Sequence, residues 1–433
     1  MATVAPFRAW RYDPTRVELA HAVTQPYDKI TPAMQARYYA ASPYNLVRII
    51  LGMPEPPDGP AGNVYSRAAR DFSLWQRDGI LRQDAEQSIY QYKQRFTAPG
   101  SRTQLERSGF IALGKIEDYS AGIVFRHERT LAKPKADRLE LLRATRAHFG
   151  QIFMLYSDPG RELEQLQDKS LPLTTVTDEF GVVHELRKVS DPKLLSGFVQ
   201  EMNNKKLIIA DGHHRYETAL NYRNERRQGD PAGEDRLSPC DFVMMTFVDM
   251  DSPGMTILPT HRLVHGLDSF SADQFKEKAR AYFSVEEVDA SIGAERATAL
   301  LRAAGVAGTA LLAVTRDRAF LLDTPRALGS NVLRGLSLRQ QSLDVVQLHK
   351  CLLEAVLGIS EEAIREQHNI SYLREVGEAL EKVRSGQANL AFLMNPVKIS
   401  QVRDIAFADQ VLPQKSTDFY PKMLSGLTIY ALE

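Results

Sequence analysis

The sequence predicts a mixed α/β (α+β) protein, and three observations carry that prediction. Apolar runs of strand length, such as 207–210 and 242–248, alternate with stretches of helical periodicity. The change from one to the other is abrupt at Asp211-Gly212, where a strand runs straight into a helix. From about residue 267 the texture becomes a regular alternation of helix and strand. The chain therefore divides into an N-terminal region, 1–266, that contains the strand-to-helix box at 207–228, and a C-terminal α/β region, 267–433.

Composition narrows the function classes. A chain of 433 residues has material for two or three domains with substantial cores. Lysine plus arginine total 54, as do aspartate plus glutamate, so no global field draws in nucleic acid or an acidic membrane. Cys240 and Cys351 are the only cysteines, too few for a disulfide framework, and they fit a reducing compartment. No apolar run is long enough to span a bilayer, and the start, MATVAPFRAWRYDP, lacks a signal-peptide core. A cytoplasmic protein with no membrane partner is expected. The P-loop, the dinucleotide-binding glycine pattern, the nucleophile elbow, H-E-x-x-H and paired C-x-x-C are all absent from the sequence.

In chain order, Gln25-Pro26-Tyr27-Asp28 is extended by its proline and sets Asp28 at a loop rim, with Thr31-Pro32 opening a helix. Asp28 reads either as a general base or metal ligand or as a cap. Residues 52–62 are a proline-rich connection, and Tyr65, Ala68, Ala69, Phe72 and Trp75 then recur at helical spacing. Strands are expected at 89–96 and 109–116. Phe125-Arg126-His127-Glu128-Arg129-Thr130 leads to a helix over 137–149. His127, Glu128 and Arg129, with Arg126, Lys133, Lys135 and Arg138 nearby, read as a substrate-binding segment for an acidic group or as a solvated basic loop. A strand at 151–156, a hairpin over 174–189 turning at 178–181, and a helix at 194–202 precede the box.

Within the box, Tyr216, Ala219 and Leu220 set the helical face. Unpaired amides and the positive helix end meet at Gly212, whose missing side chain lets an anion come close. His213, His214 and Arg215 add donors, and Asp211 adds a carboxylate able to hold Mg²⁺ between phosphate oxygens. This is a nucleotide-phosphate site. His213 and Glu217, four apart, also permit a transition-metal pair. The alternative is a capped helix start with satisfied histidines.

Beyond the box, 242–248 is an apolar strand ending in Asp249-Met250-Asp251, followed by a short strand at 255–258. Helices at 275–283, 294–304 and 345–357 and strands at 310–314, 319–323 and 388–394 fill the C-terminal region. The tail loop, 413–422, carries Lys415, Ser416 and Thr417, which could fold back onto a phosphate or simply tie down the terminus, and a closing strand covers 427–432.

The segment Ala210-Asp211-Gly212-His213-His214-Arg215-Tyr216-Glu217 resembles the signature of the ParB and sulfiredoxin superfamily, in the DGHHR form of its free-serine kinases. The chain as a whole is identified as a member of the family called domain of unknown function 1015. Gln25-Pro26-Tyr27-Asp28, His127-Glu128-Arg129-Thr130, Leu258-Pro259-Thr260-His261-Arg262 and Pro413-Gln414-Lys415-Ser416-Thr417 carry that likeness. The resemblance implies a ParB/sulfiredoxin-like nucleotide-binding core with an additional α/β lobe, and it brings His261 and Arg262 to the site. Sulfiredoxin chemistry is excluded, since His213 stands where those enzymes have cysteine.

Three functions remain open, in this order. The first is an Mg²⁺-dependent small-molecule kinase using ATP, ADP or another nucleotide. In it Asp211, Gly212, His213, His214 and Arg215 hold the phosphates, and Asp28 or Glu217 orients the hydroxyl of a small polar metabolite. The second is a nucleotide-gated binding protein that closes a lobe or a homodimer. The third is a hydrolase whose metal sits on His213, Glu217 and a further histidine.

Overall fold

A computed structural model describes residues 1–56, 58–59, 62–128, 132–228, 237–326 and 331–432, with 132–134 described by their backbone alone. The chain divides into two compact units. The first comprises Met1–Arg126, Thr130–Thr256 and Tyr420–Glu433, and the second His127–Arg129 and Ile257–Phe419. The division expected at 266 falls ten residues earlier, because His261–Val264 pairs on both sides within the second unit's sheet.

A nine-stranded mixed sheet organises the first unit. Its path runs Val124–Phe125, Leu207–Asp211, Ile152–Tyr156, Phe242–Asp249, Gln104–Lys115, Ile89–Thr97, Val183–Val189 and Leu171–Thr177, with Val4–Ala5 paired to Gln104–Lys115. Two pairings are parallel, those of Leu207–Asp211 with Val124–Phe125 and of Phe242–Asp249 with Ile152–Tyr156. The central strands are buried along nearly their whole length and almost wholly apolar because both faces are covered. On one face Ile209, Met154, Met245 and Phe110 pack with Tyr216 and Ala219 of helix His213–Gln228 and with Phe198 and Met202 of helix Pro192–Met202. Burying each such side chain contributes about 1.5–3 kcal/mol, which fixes the box helix against the sheet. The expected hairpin forms between Leu171–Thr177 and Val183–Val189.

One helix differs from its expected extent. The spacing through Phe149 predicts a helix to that residue, but the helix is Ala132–Thr145. Arg146 turns with a φ of 48°, and Ala147–His148 pairs antiparallel with Tyr430–Ala431 from the tail. A long-range strand partner, invisible to local periodicity, ends the helix.

The second unit carries a six-stranded sheet in the order Ser284–Val288, Ala319–Asp323, Ala310–Val314, Leu390–Met394, His261–Val264, Ile370–Leu373, all pairs antiparallel. Leu263, Leu312, Ala391 and Leu393 pack on one face with Leu301 and Val383 of helices Ala294–Ala304 and Val376–Arg384. Phe320 and Phe392 meet Phe275 of helix Ala272–Ala279. The helix expected over 345–357 is a turn of α-helix, Asp344–Gln347, followed by a nine-residue π-helix, Leu348–Val356. No described helix is long and apolar enough to cross a membrane.

Candidate functional site

Strand Leu207–Asp211 ends where its buried apolar run gives out, and Gly212 turns the chain with a φ of 95°, a conformation costly for any residue with a Cβ. The helix begins at His213, and Tyr216 N–H donates to the Gly212 carbonyl at 2.9 Å. The strand, glycine and helix thus follow the order read from the sequence. What approaches Gly212 is the chain's own guanidinium: a Cβ at Gly212 would lie 3.1 Å from Arg215 Cζ. Arg215 Nη1 donates to the Gln151 carbonyl. His213 is 8 % exposed and His214 half-buried.

Asp211 lies among cations. Lys422 Nζ donates to its Oδ2 at 3.0 Å, Arg215 Nη2 is 3.9 Å from Oδ1, and Lys29 adds a third positive charge. Burial pushes the Asp211 carboxyl up, but Lys422, Arg215 and Lys29 more than offset it and hold the carboxyl well below the usual range. The Mg²⁺ expected on Asp211 does not fit this donor set, because a divalent cation would have to displace lysine and arginine from a single carboxylate. Among the described residues no group of three or more His, Cys, Asp or Glu could hold a metal ion, so His213 and Glu217 gain no third ligand.

Lys422 comes from the tail and is set in place by residues the sequence reading passed over. Arg107 donates to the carbonyls of Tyr420 and Pro421 and to Gln94 Oε1, and Gln94 Nε2 donates to the Lys422 carbonyl at 2.8 Å. Arg107 is wholly buried beside Phe153, and burial lowers its pKa to about 10. No local pattern singles it out, since Arg107 lies between Glu106 and Ser108 at the polar end of its strand, and only its burial demands internal acceptors.

Beside the box a pocket of about 590 Å³, part of it open to solvent, is lined by Pro26, Tyr27, Arg138, His148, Arg215 and Thr218 among others. Gln25 Nε2 donates to Asp178 at 3.0 Å, which anchors the loop carrying Pro26 and Tyr27, and the Arg138 guanidinium sits 4.2 Å from the Tyr27 ring centroid. Asp28 is exposed in a single turn, Tyr27–Lys29. It does not cap the next helix. Thr31 does, accepting from Met34 N–H at 3.2 Å. Glu217 is buried and bonded to Lys135 Nζ at 2.7 Å, so the catalytic carboxylate expected there is committed to an ion pair.

The remaining expected site residues belong to the second unit. Glu128 Oε1 accepts from Thr417 N–H at 2.8 Å and from its hydroxyl at 2.7 Å, and His127 Nε2 lies 2.8 Å from Thr417 Oγ1. Ser416 Oγ donates to the Pro413 carbonyl at 2.6 Å, and Arg262 Nη2 to the Lys415 carbonyl at 3.0 Å. Ser416, Thr417 and the Lys415 carbonyl thus bond to the chain itself. Lys415 itself is exposed. His261 and Arg262, expected at one point, are successive residues of a strand and face opposite sides of the sheet. Arg129 lies outside the described residues.

The sequence model of the family described as Protein of unknown function (DUF1015) matches residues 4–346. No curated protein matches the chain. Among solved structures, a conserved hypothetical protein from Pyrococcus furiosus is 12 % identical, with 71 % of this chain and 91 % of that chain covered and a TM-score of 0.36. A free serine kinase in complex with AMP is 13 % identical over 72 % of this chain and 88 % of its own, TM-score 0.36. SbnI with a C-terminal truncation, from Staphylococcus aureus, is 9 % identical over 73 % and 85 %, TM-score 0.35.

Proposed function

This chain belongs to the DUF1015 family, and on that premise we propose that it is a nucleotide-dependent phosphotransferase acting on the hydroxyl group of a small metabolite. The observation that carries the reading is the gathering of Lys422, Arg215 and Lys29 about Asp211, at the positive end of a sixteen-residue helix and beside an arginine-lined pocket. Phosphoryl transfer needs positioning and charge stabilisation more than covalent chemistry, and cations with helix amides supply both. In this reading Lys422, Arg215 and Lys29 take the charge of the nucleotide phosphates, and Asp211 keeps the three cations in place. Asp28, the exposed carboxylate next to Lys29, accepts the proton of the attacking hydroxyl as the bond from phosphorus to the nucleotide's bridging oxygen breaks.

Phosphorus NMR of the full chain with ATP or ADP, with and without magnesium, and a panel of hydroxyl metabolites tests this. A new phosphomonoester is expected. Asp28→Asn should lower its rate by about 10²–10⁴-fold while nucleotide binding persists. Lys422→Met should weaken nucleotide binding itself. If no monoester forms and no nucleotide is consumed, transfer is ruled out. A nucleotide-gated binding protein is the second reading, favoured by one observation: Asp211 and Glu217 are both committed to ion pairs. Binding without turnover, unchanged by Asp28→Asn, selects it.

A further inference from the structure

Arg262 is a full guanidinium charge enclosed in the second unit. It is 1 % exposed and makes no ion pair among the described residues. Its Nη atoms go to the Thr260 and Lys415 carbonyls and to Met394 Sδ, all neutral acceptors, while Nε has no hydrogen-bond partner among the described residues. Cross-strand pairing sets Tyr372 directly opposite, with its ring centroid 5.2 Å from Arg262 Cζ, and the Tyr372 hydroxyl is likewise buried with no partner among the described residues. His349, in the first turn of the π-helix, feels the charge of Arg262, and its buried Nε2 is in the same condition. Glu128 is the nearby carboxylate, acting on both Arg262 and Tyr372 through its charge, but its Oε1 is held by Thr417. Lys350 is the other charge acting on His349.

Buried polar atoms are almost always satisfied, and π-helical turns are rare and frequently sit at functional sites. Arg262 Nε–H and the Tyr372 hydroxyl are donors, and His349 Nε2 can be one. Donors gathered round a cation call for a ligand rich in acceptors.

We propose that the second unit binds an oxyanion group, the phosphoryl or carboxylate end of a small molecule, on Arg262 Nε with Tyr372 and His349 completing the donor set. This assignment is independent of the phosphotransferase reading. It draws on no residue of the strand-to-helix box.

Calorimetric titration of the full chain with inorganic phosphate in one arm and acetate in the other tests it, and the arm that binds identifies the source of the oxyanion. Tyr372→Phe removes only a hydroxyl, so the ligand-free protein should melt at the wild-type temperature or above it. The same change should weaken oxyanion binding about tenfold, the equivalent of one hydrogen bond. Arg262→Gln should abolish the binding that persists in Arg215→Ala. The assignment is overturned if neither anion binds, if binding survives Tyr372→Phe undiminished, if Arg215→Ala removes it, or if ligand-free Tyr372→Phe melts markedly lower than wild type. Tyr372→Phe alone decides the matter should Arg262→Gln fail to fold.

Discussion

Asp211 shows how one residue can be read correctly for place and incorrectly for partner. The sequence locates it at the end of a strand before a left-handed glycine, and both features are found. The metal-ligand role expected of it rests on its neighbours in sequence. The groups that meet it include Lys422, 211 residues away, which no local pattern announces. The carboxyl is depressed in the fold by those cations despite burial, so its contribution to stability is present above the unfolded value of about 3.9 and is lost as pH falls toward the folded value. Lys422→Met should therefore cost about 1–3 kcal/mol at pH 7 by leaving a charged acceptor short of its nearest donor. The gap from wild type should shrink below about pH 4, where the unfolded carboxyl protonates. Urea titrations at the two pH values check both the size and the trend.

At the scale of elements, the box helix and the sheet under it were legible because their periodicity is set by a face each must bury, and local pattern records that directly. The helix ending at Thr145 and the π-helix at Leu348–Val356 were not legible, since the first is stopped by a distant strand and the second has the composition of an ordinary buried helix. The box helix is pinned at a point the pattern also hides. Tyr216 faces the core, yet its hydroxyl donates to the Glu117 carbonyl at 2.7 Å and accepts from the Glu117 N–H at 2.9 Å. Tyr216→Phe keeps the packing and forfeits both bonds. It should lower stability by about 1–2 kcal/mol with an unchanged denaturant slope, measured by urea unfolding.

At the scale of the molecule, mixed α/β architecture was readable from alternation alone. The assignment of segments to units was not, because His127 and Glu128 and residues 420–433 each belong with partners far along the chain. The tail supplies the first unit with Leu424, Leu427 and Ile429, all buried, and Trp10 N–H donates to the Ile429 carbonyl at 2.9 Å. Both tryptophans, Trp10 and Trp75, lie in the first unit, so their fluorescence reports on it alone. Deleting 420–433 removes at least three buried apolar side chains, about 5–9 kcal/mol, comparable with the whole stability of a domain. The deleted protein should show the red-shifted tryptophan emission of an unfolded first unit in plain buffer.

That closing segment also sets an order of events during synthesis. A ribosome must deliver every residue of the second unit before residues 420–433 exist to finish the first, so Ala147–His148 and the first unit's core wait with their final partners unmade while more than 150 further residues emerge. Nascent chains stalled before Tyr420 should consequently present the first unit to proteases and chaperones, and emergence of 420–433 should bring protection and the Lys422 contact to Asp211 in the same step.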